Sequence, residues 1–165
     1  MFAHWFRAAH YESSGEGGWA GKGVRIIDFG RTIDLSLFAP GQTFVCDWET
    51  DAFDCLEMRQ GLPWTYEPDY FGAASIAFCL LFGRFIETTT SQDEPARVRI
   101  NQNFKRYHQA ELWTRLFDVL LNPKLVGALP ITNELAEIRR ELELWLEANS
   151  DRNGKSEFTS AAAAA

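Results

Sequence analysis

Cysteine is scarce in this chain: Cys46, Cys55 and Cys79 are odd in number and none forms a close-spaced pair. That pattern fits reduced thiols of the cytosol or nucleus better than a disulfide framework or a zinc site. Histidine is equally sparse. His4 and His10 lie in an unplaced leader and His108 at a helix start, so no Ser-His-Asp or Cys-His arrangement has positional support and nucleophilic hydrolysis is not expected. No apolar run reaches the roughly 20 residues of a membrane span, and Met1 to His10 lacks the basic start and apolar core of a secretion signal. A soluble, intracellular protein without membrane contact is expected. Positive charge is also short: 16 Lys and Arg face 23 Asp and Glu, giving a net charge of −7. Such a balance argues against a general nucleic-acid surface, and no direct DNA binding is expected. What the chain has is apolar mass. A hydrophobic fraction of 46% and six Trp in 165 residues suit one globular domain with a real core.

The densest apolar stretch runs from Pro68-Asp69-Tyr70-Phe71 to Leu80-Leu81-Phe82-Gly83 and carries no charge between Asp69 and Arg84. Asp69 is suited to cap its start, because a carboxylate accepts the orphan N–H groups of a first helical turn. Gly83 is suited to close it. The apolar residues surround the axis instead of forming a stripe, which predicts a helix buried on all sides, a hub for other elements. As a cap, Asp69 would contribute about 1 kcal/mol.

Before the hub, Ser13-Ser14-Gly15-Glu16-Gly17-Gly18 precedes a strand instead of opening a helix, so it reads as a flexible connector and not a phosphate loop. Val24-Arg25-Ile26-Ile27-Asp28 has the β-branched density of a short strand and leads into Asp28-Phe29-Gly30. On these three residues alone, a strand ending in a turn is favoured. The competing chemistry is a carboxylate at a strand end holding Mg²⁺ against the phosphates of ATP. Residues 31–65 are rich in turn formers, and Phe38, Phe44, Trp48, Phe53 and Trp64 suggest a long loop pinned onto a core.

After the hub, Thr88-Thr89-Thr90-Ser91 reads as a surface loop and Arg97-Val98-Arg99-Ile100 as an exposed strand. With Lys105 and Arg106, Arg97 and Arg99 form a basic cluster. A solvated hairpin accounts for it; the functional alternative is a docking face for an acidic or nucleic-acid-bound partner. Leu112, Trp113, Leu116, Phe117, Leu120 and Leu121 recur at helical spacing up to Pro123. Leu135, Ile138, Leu142, Trp145 and Leu146 repeat the pattern behind a cap at Thr132 or Asn133, with charges on the opposite face. Beyond Asn149 the chain turns polar and ends in Ala161 to Ala165.

In this order the elements resemble the C-terminal lobe of a protein kinase, with an activation segment from Asp28-Phe29-Gly30 to Cys55-Leu56-Glu57 in place of Ala-Pro-Glu. Asn122-Pro123 is similar to the Asp-Pro after a late helix in that family. Gly18-Trp19, Lys22-Gly23-Val24, Ile27 to Leu35, Cys55-Leu56-Glu57-Met58, Pro63-Trp64-Thr65-Tyr66 and Asp69-Tyr70-Phe71-Gly72 together look like the Bub-type mitotic checkpoint serine/threonine kinases. The resemblance covers residues 18–149, with a leader at 1–17 and a disordered tail at 150–165. It implies a mainly α fold: a short β element before Asp-Phe-Gly, a long activation segment, a buried central helix and flanking amphipathic helices, with the N-terminal lobe absent.

The same resemblance implies ATP-dependent phosphorylation of Ser or Thr, histone tails included, by a nuclear, kinetochore-resident protein with checkpoint partners. Asp28 would be the Mg²⁺ ligand and Asp69 a structural residue. The 165 residues contain no His-x-Asp-x-x-x-x-Asn pattern, so no catalytic base is assigned and neither ATP nor Mg²⁺ is expected to bind this chain tightly by itself. A non-catalytic lobe used as a binding module is the alternative. Thr43 and Thr50 read as ordinary loop threonines in preference to phosphorylation sites. In many kinases the Glu of Ala-Pro-Glu pairs with an Arg, but Val126 falls at that place here. Glu57 is left with Arg115, Lys124 or solvent.

Overall fold

A computed structural model describes residues 29–92, 94–104 and 109–162. The expected strand Val24 to Asp28, the leader at 1–17, Lys105, Arg106 and the three His lie outside the described residues. Ile33–Ile138 form one compact unit, and the remaining described residues belong to a second. The elements are mostly helical: α1 (Leu56–Arg59), α2 (Glu67–Phe82), α3 (Ala110–Leu121), α4 (Pro123–Val126) and α5 (Thr132–Ala162), with a small sheet of β1 (Thr88–Thr90) and β2 (Val98–Ile100).

The hub is α2, and it begins two residues earlier than Asp69. Pro68 sits in its first turn, where a missing N–H leaves no helical bond unmade. Asp69 is therefore not the cap; it stands exposed in the first turn. The carboxylate that serves this end is Glu67, whose Oε2 accepts the backbone N–H of Thr65 at 2.5 Å and its hydroxyl at 3.2 Å. At the other end Gly83 adopts φ 68° and donates its N–H to the Cys79 carbonyl at 2.9 Å. That left-handed residue is costly for any side chain with a Cβ, so glycine ends the helix as expected.

Although α2 is the core helix, its burial is one-sided. Phe71, Ala74 and Phe78, spaced three and four apart, are buried. On another face Ile76 is 47% and Leu80 71% exposed. Both packing partners of α2 lie on the first face. Phe71 joins Cys55, Met58 and Trp64, while Ala74 and Phe78 join Phe117 and Leu120 of α3.

Thr88–Thr90, expected as loop, is instead a strand, paired antiparallel with β2 in the register Thr89↔Arg99. Threonine is β-branched and suits a strand as well as a loop, and only the pairing decides. Val98 is buried, and its N–H and C=O are both taken by the side chain of Asn122, at 2.7 and 2.9 Å. Asn122 also ends α3, and Pro123 opens α4.

The apolar stripe of α5 is at least half-buried as predicted. Thr132 and Asn133 lie inside the first turn, since the Ile131 carbonyl already accepts the Leu135 N–H at 3.2 Å. The helix runs on to Ala162, past the Asn149 limit set by the stripe and through residues 150–162, expected as a disordered tail.

Urea unfolding of single variants should expose this asymmetry. Phe78→Ala removes a fully buried ring and is expected to cost about 3–5 kcal/mol, whereas Leu80→Ala should stay within about 0.5 kcal/mol of the parent. A Leu80 loss as large as that of Phe78 would mean burial on all sides. For Asp69→Ala, a dipole loss of about 0.3–1 kcal/mol is offset by a helix-propensity gain of up to about 0.7 kcal/mol. Near-neutrality is expected, not a cap-sized loss.

Candidate functional site

The segment from Phe29 to Glu57 is irregular, with two single 3-10 turns at Phe29–Arg31 and Leu35–Leu37. Phe29 is 65% exposed, and its carbonyl accepts the Thr32 N–H at 3.1 Å. Gly30 follows it in the same turn, and Asp28 lies outside the described residues. Asp34 caps the second turn: Oδ1 accepts from the Ser36 hydroxyl at 2.7 Å and its N–H at 3.0 Å. Those bonds hold the Asp34 carboxyl below its ordinary pKa.

Of the five aromatics expected to pin this loop, Phe44 and Trp64 do so most directly. Their backbones exchange two hydrogen bonds of 2.9 Å, and their rings sit 5.4 Å apart. Phe38 meets Phe44 edge-on at 5.1 Å, and Phe53 meets Phe85 at 5.2 Å. Trp48 and Phe53 remain exposed. Thr43 is exposed and Thr50 half-buried.

The segment ends at Cys55-Leu56-Glu57. Cys55 precedes α1 and is buried beside Met58, Trp64 and Phe71. Burial pushes its thiol up to about 11, so it stays neutral and acts as a small apolar side chain instead of a nucleophile. Leu56 opens α1 half-buried. Glu57 finds Lys124, whose Nζ lies 3.5 Å from Oε1; Arg115 pairs with Glu137 at 3.2 Å instead.

Lys124 has a closer partner that the sequence did not suggest. Its Nζ is 2.8 Å from Oε1 of Glu67, a carboxylate 2% exposed and one of two buried polar residues among those described. Burial alone would raise the Glu67 carboxyl; the adjacent Lys124 ammonium and the hydrogen bond from the Thr65 N–H outweigh it and leave the group lowered. Lys124 is raised in turn: its partial burial opposes the charge, and Glu67 and Glu57 together overcome it. The signal that was available is Glu67-Pro68, an acidic residue beside a proline at a helix start.

Of the basic cluster, only Arg97 and Arg99 lie among the described residues. Arg97 bonds Asp118 of α3 at 2.6 Å. Arg99 points outward from β2 but is not without a partner. Lys105 and Arg106 lie outside the described residues, so the docking face keeps no described cation that stands alone.

No family model matches the chain. Among curated proteins it is 50% identical over 140 residues to the spindle assembly checkpoint serine/threonine-protein kinase bub1 of Schizosaccharomyces pombe, which spans 82% of this chain and 13% of that protein. It is 46% identical over 140 residues to BUB1 of Saccharomyces cerevisiae, covering 84% of this chain and 14% of that protein. The crystal structure of the BubR1 kinase domain superposes with a TM-score of 0.65 at 35% identity, over 76% of this chain and 36% of that one. The chain thus spans only 13–14% of the length of these two yeast relatives. Half-identity over most of the chain, together with a matching helical fold, gives the family: the chain belongs to the Bub-type mitotic checkpoint serine/threonine kinases, as part of a kinase domain.

Proposed function

We propose that this chain supplies the activation segment and helical lobe of a serine/threonine kinase of the spindle checkpoint. The observation that carries the reading is the segment ending at Cys55-Leu56-Glu57, packed onto α2 through Cys55, Met58 and Phe71, within a stretch 50% identical to a checkpoint kinase. Phosphoryl transfer depends on positioning more than on covalent chemistry by the protein. Residues of this chain contribute to that positioning. The Phe44–Trp64 pairing fixes the middle of the segment, and the cluster around Cys55 fixes its end, so that a substrate Ser or Thr is presented on a rigid surface.

ATP with Mg²⁺ would supply the phosphoryl group, and Asp28 is the residue assigned to the metal. Among the described residues no cluster of three or more His, Cys, Asp or Glu could hold an ion. Because the 165 residues contain no His-x-Asp-x-x-x-x-Asn pattern, the chain by itself should not transfer phosphate. The substrate class is a Ser- or Thr-bearing protein such as a histone tail, the partners are kinetochore and checkpoint proteins, and the place of action is the nucleus at kinetochores.

The test is a phosphorylation assay with ATP, Mg²⁺ and a histone-tail peptide. The chain alone is expected to incorporate nothing. Joined in frame to the kinase-domain residues that precede the matching stretch in the Schizosaccharomyces pombe relative, it should become active, and Asp28→Asn should lower that rate by on the order of 100-fold or more. Turnover by the chain alone, or a folded but inactive fusion, defeats the reading.

A further inference from the structure

A carboxylate as deeply buried as Glu67 cannot be solvated where it stands, so its charge needs a partner. Lys124 provides that partner from α4, a separate part of the chain. Its ammonium forms an ion pair with Glu67 Oε1 at 2.8 Å, an oxygen that accepts no hydrogen bond, and donates to Pro63 O at 3.4 Å and Glu57 Oε1 at 3.5 Å. These three mark the beginning, middle and end of the stretch from Glu57 to Glu67. The two longer contacts sit at the outer limit of a hydrogen bond, so most of the hold falls on Glu67.

We propose that Lys124 is a positioning residue, a cation that keeps the turn between α1 and α2 closed. Few other bonds do so. Leu62 donates to the Glu57 carbonyl at 2.8 Å, Gly61 to that of Met58 at 3.1 Å, and the Trp64 pairing reaches back to Phe44. Thr65 is held by the same Glu67 carboxylate through its other oxygen. The adjoining cavity, lined in part by Glu57, Glu67 and Phe71, measures about 10 Å³, the space of roughly one water. The Lys124 side chain is itself 49% exposed while that of Glu67 is 2% exposed, so water reaches the ammonium but not the carboxylate behind it. Without Lys124 the carboxylate must take up a proton or swing outward, and swinging outward releases Thr65 and loosens the turn. The α2–α3 interface is independent of this charge, because Ala74, Phe78, Phe117 and Leu120 hold it by apolar contact. That an opened turn would disturb substrate presentation rests on the kinase reading above; the clamp does not.

Amide hydrogen exchange on the full 165-residue chain tests the clamp without any phosphorylation assay, so a failed kinase reading leaves its outcome intact. In Lys124→Met the amides of Leu62, Trp64 and Thr65 are expected to exchange at least about tenfold faster, while those of Gly83 and Asn101 stay within about twofold. Lys124→Arg keeps a cation and should keep the protection. Unchanged exchange at the three turn amides, an equal rise at all five, or no protection in Lys124→Arg overturns the proposal. If Lys124→Met does not fold, adding Glu67→Gln removes the stranded charge and must restore folding; failure to do so is equally decisive against it.

Discussion

Everything in the 33–138 unit depends on the burial of one face of α2. Phe71, Ala74 and Phe78 succeed one another along it, yet they serve two different clusters. Phe71 carries the end of the long segment through Cys55, Met58 and Trp64. One turn further on, Ala74 and Phe78 carry α3. Ala74 is fully buried, and its single methyl lets the two helices approach closely. Phe78 then meets Phe82 at 4.6 Å and Phe117 edge-on at 6.2 Å, within the favoured range for aromatic pairs. Irregular segment and helical lobe are thereby coupled through a few consecutive turns of one helix.

Local sequence revealed the elements whose signals are local. Helical spacing marked α3 and the first part of α5, and Gly83 marked the end of α2. Errors arose where the deciding partner is distant in the chain. Asp69 reads as a cap because Glu67-Pro68 marks only where the helix can start, while the Lys124 that pairs with Glu67 lies far along the chain. Thr88 to Thr90 looked like loop because the strand they pair with lies beyond an intervening turn. Arg97 looked available because Asp118 sits on a helix not yet folded against it in a linear reading. The one-sided burial of α2 was hidden for the same kind of reason: an all-apolar helix gives no clue to which side its neighbours occupy.

Several of the described residues that carry the family resemblance make anchoring contacts. In Pro63-Trp64-Thr65-Tyr66, the proline carbonyl faces Lys124, the tryptophan pairs with Phe44 and enters the core, and the threonine N–H meets Glu67. Tyr66 supplies the carbonyl that starts the hydrogen bonding of α2. Cys55 fills the centre of the cluster where many kinases have alanine in the corresponding motif. A motif recognised as a string of letters is here a set of packing and hydrogen-bonding positions, which is why it was readable before the contacts were.

The side chain of Asn122 does more than tie β2 to the end of α3. In this register the N–H and C=O of Val98 point away from β1, toward the outer side of a two-stranded sheet. Those are the groups that a strand from another molecule would seek, and open edges of this kind are where sheets grow by addition. Asn122 offers its amide oxygen to the one and its amide NH₂ to the other, imitating a neighbouring strand with a single side chain. The open edge is thus covered at Val98, where β2 begins, a safeguard against edge-to-edge self-association built from the same residue that ends a helix.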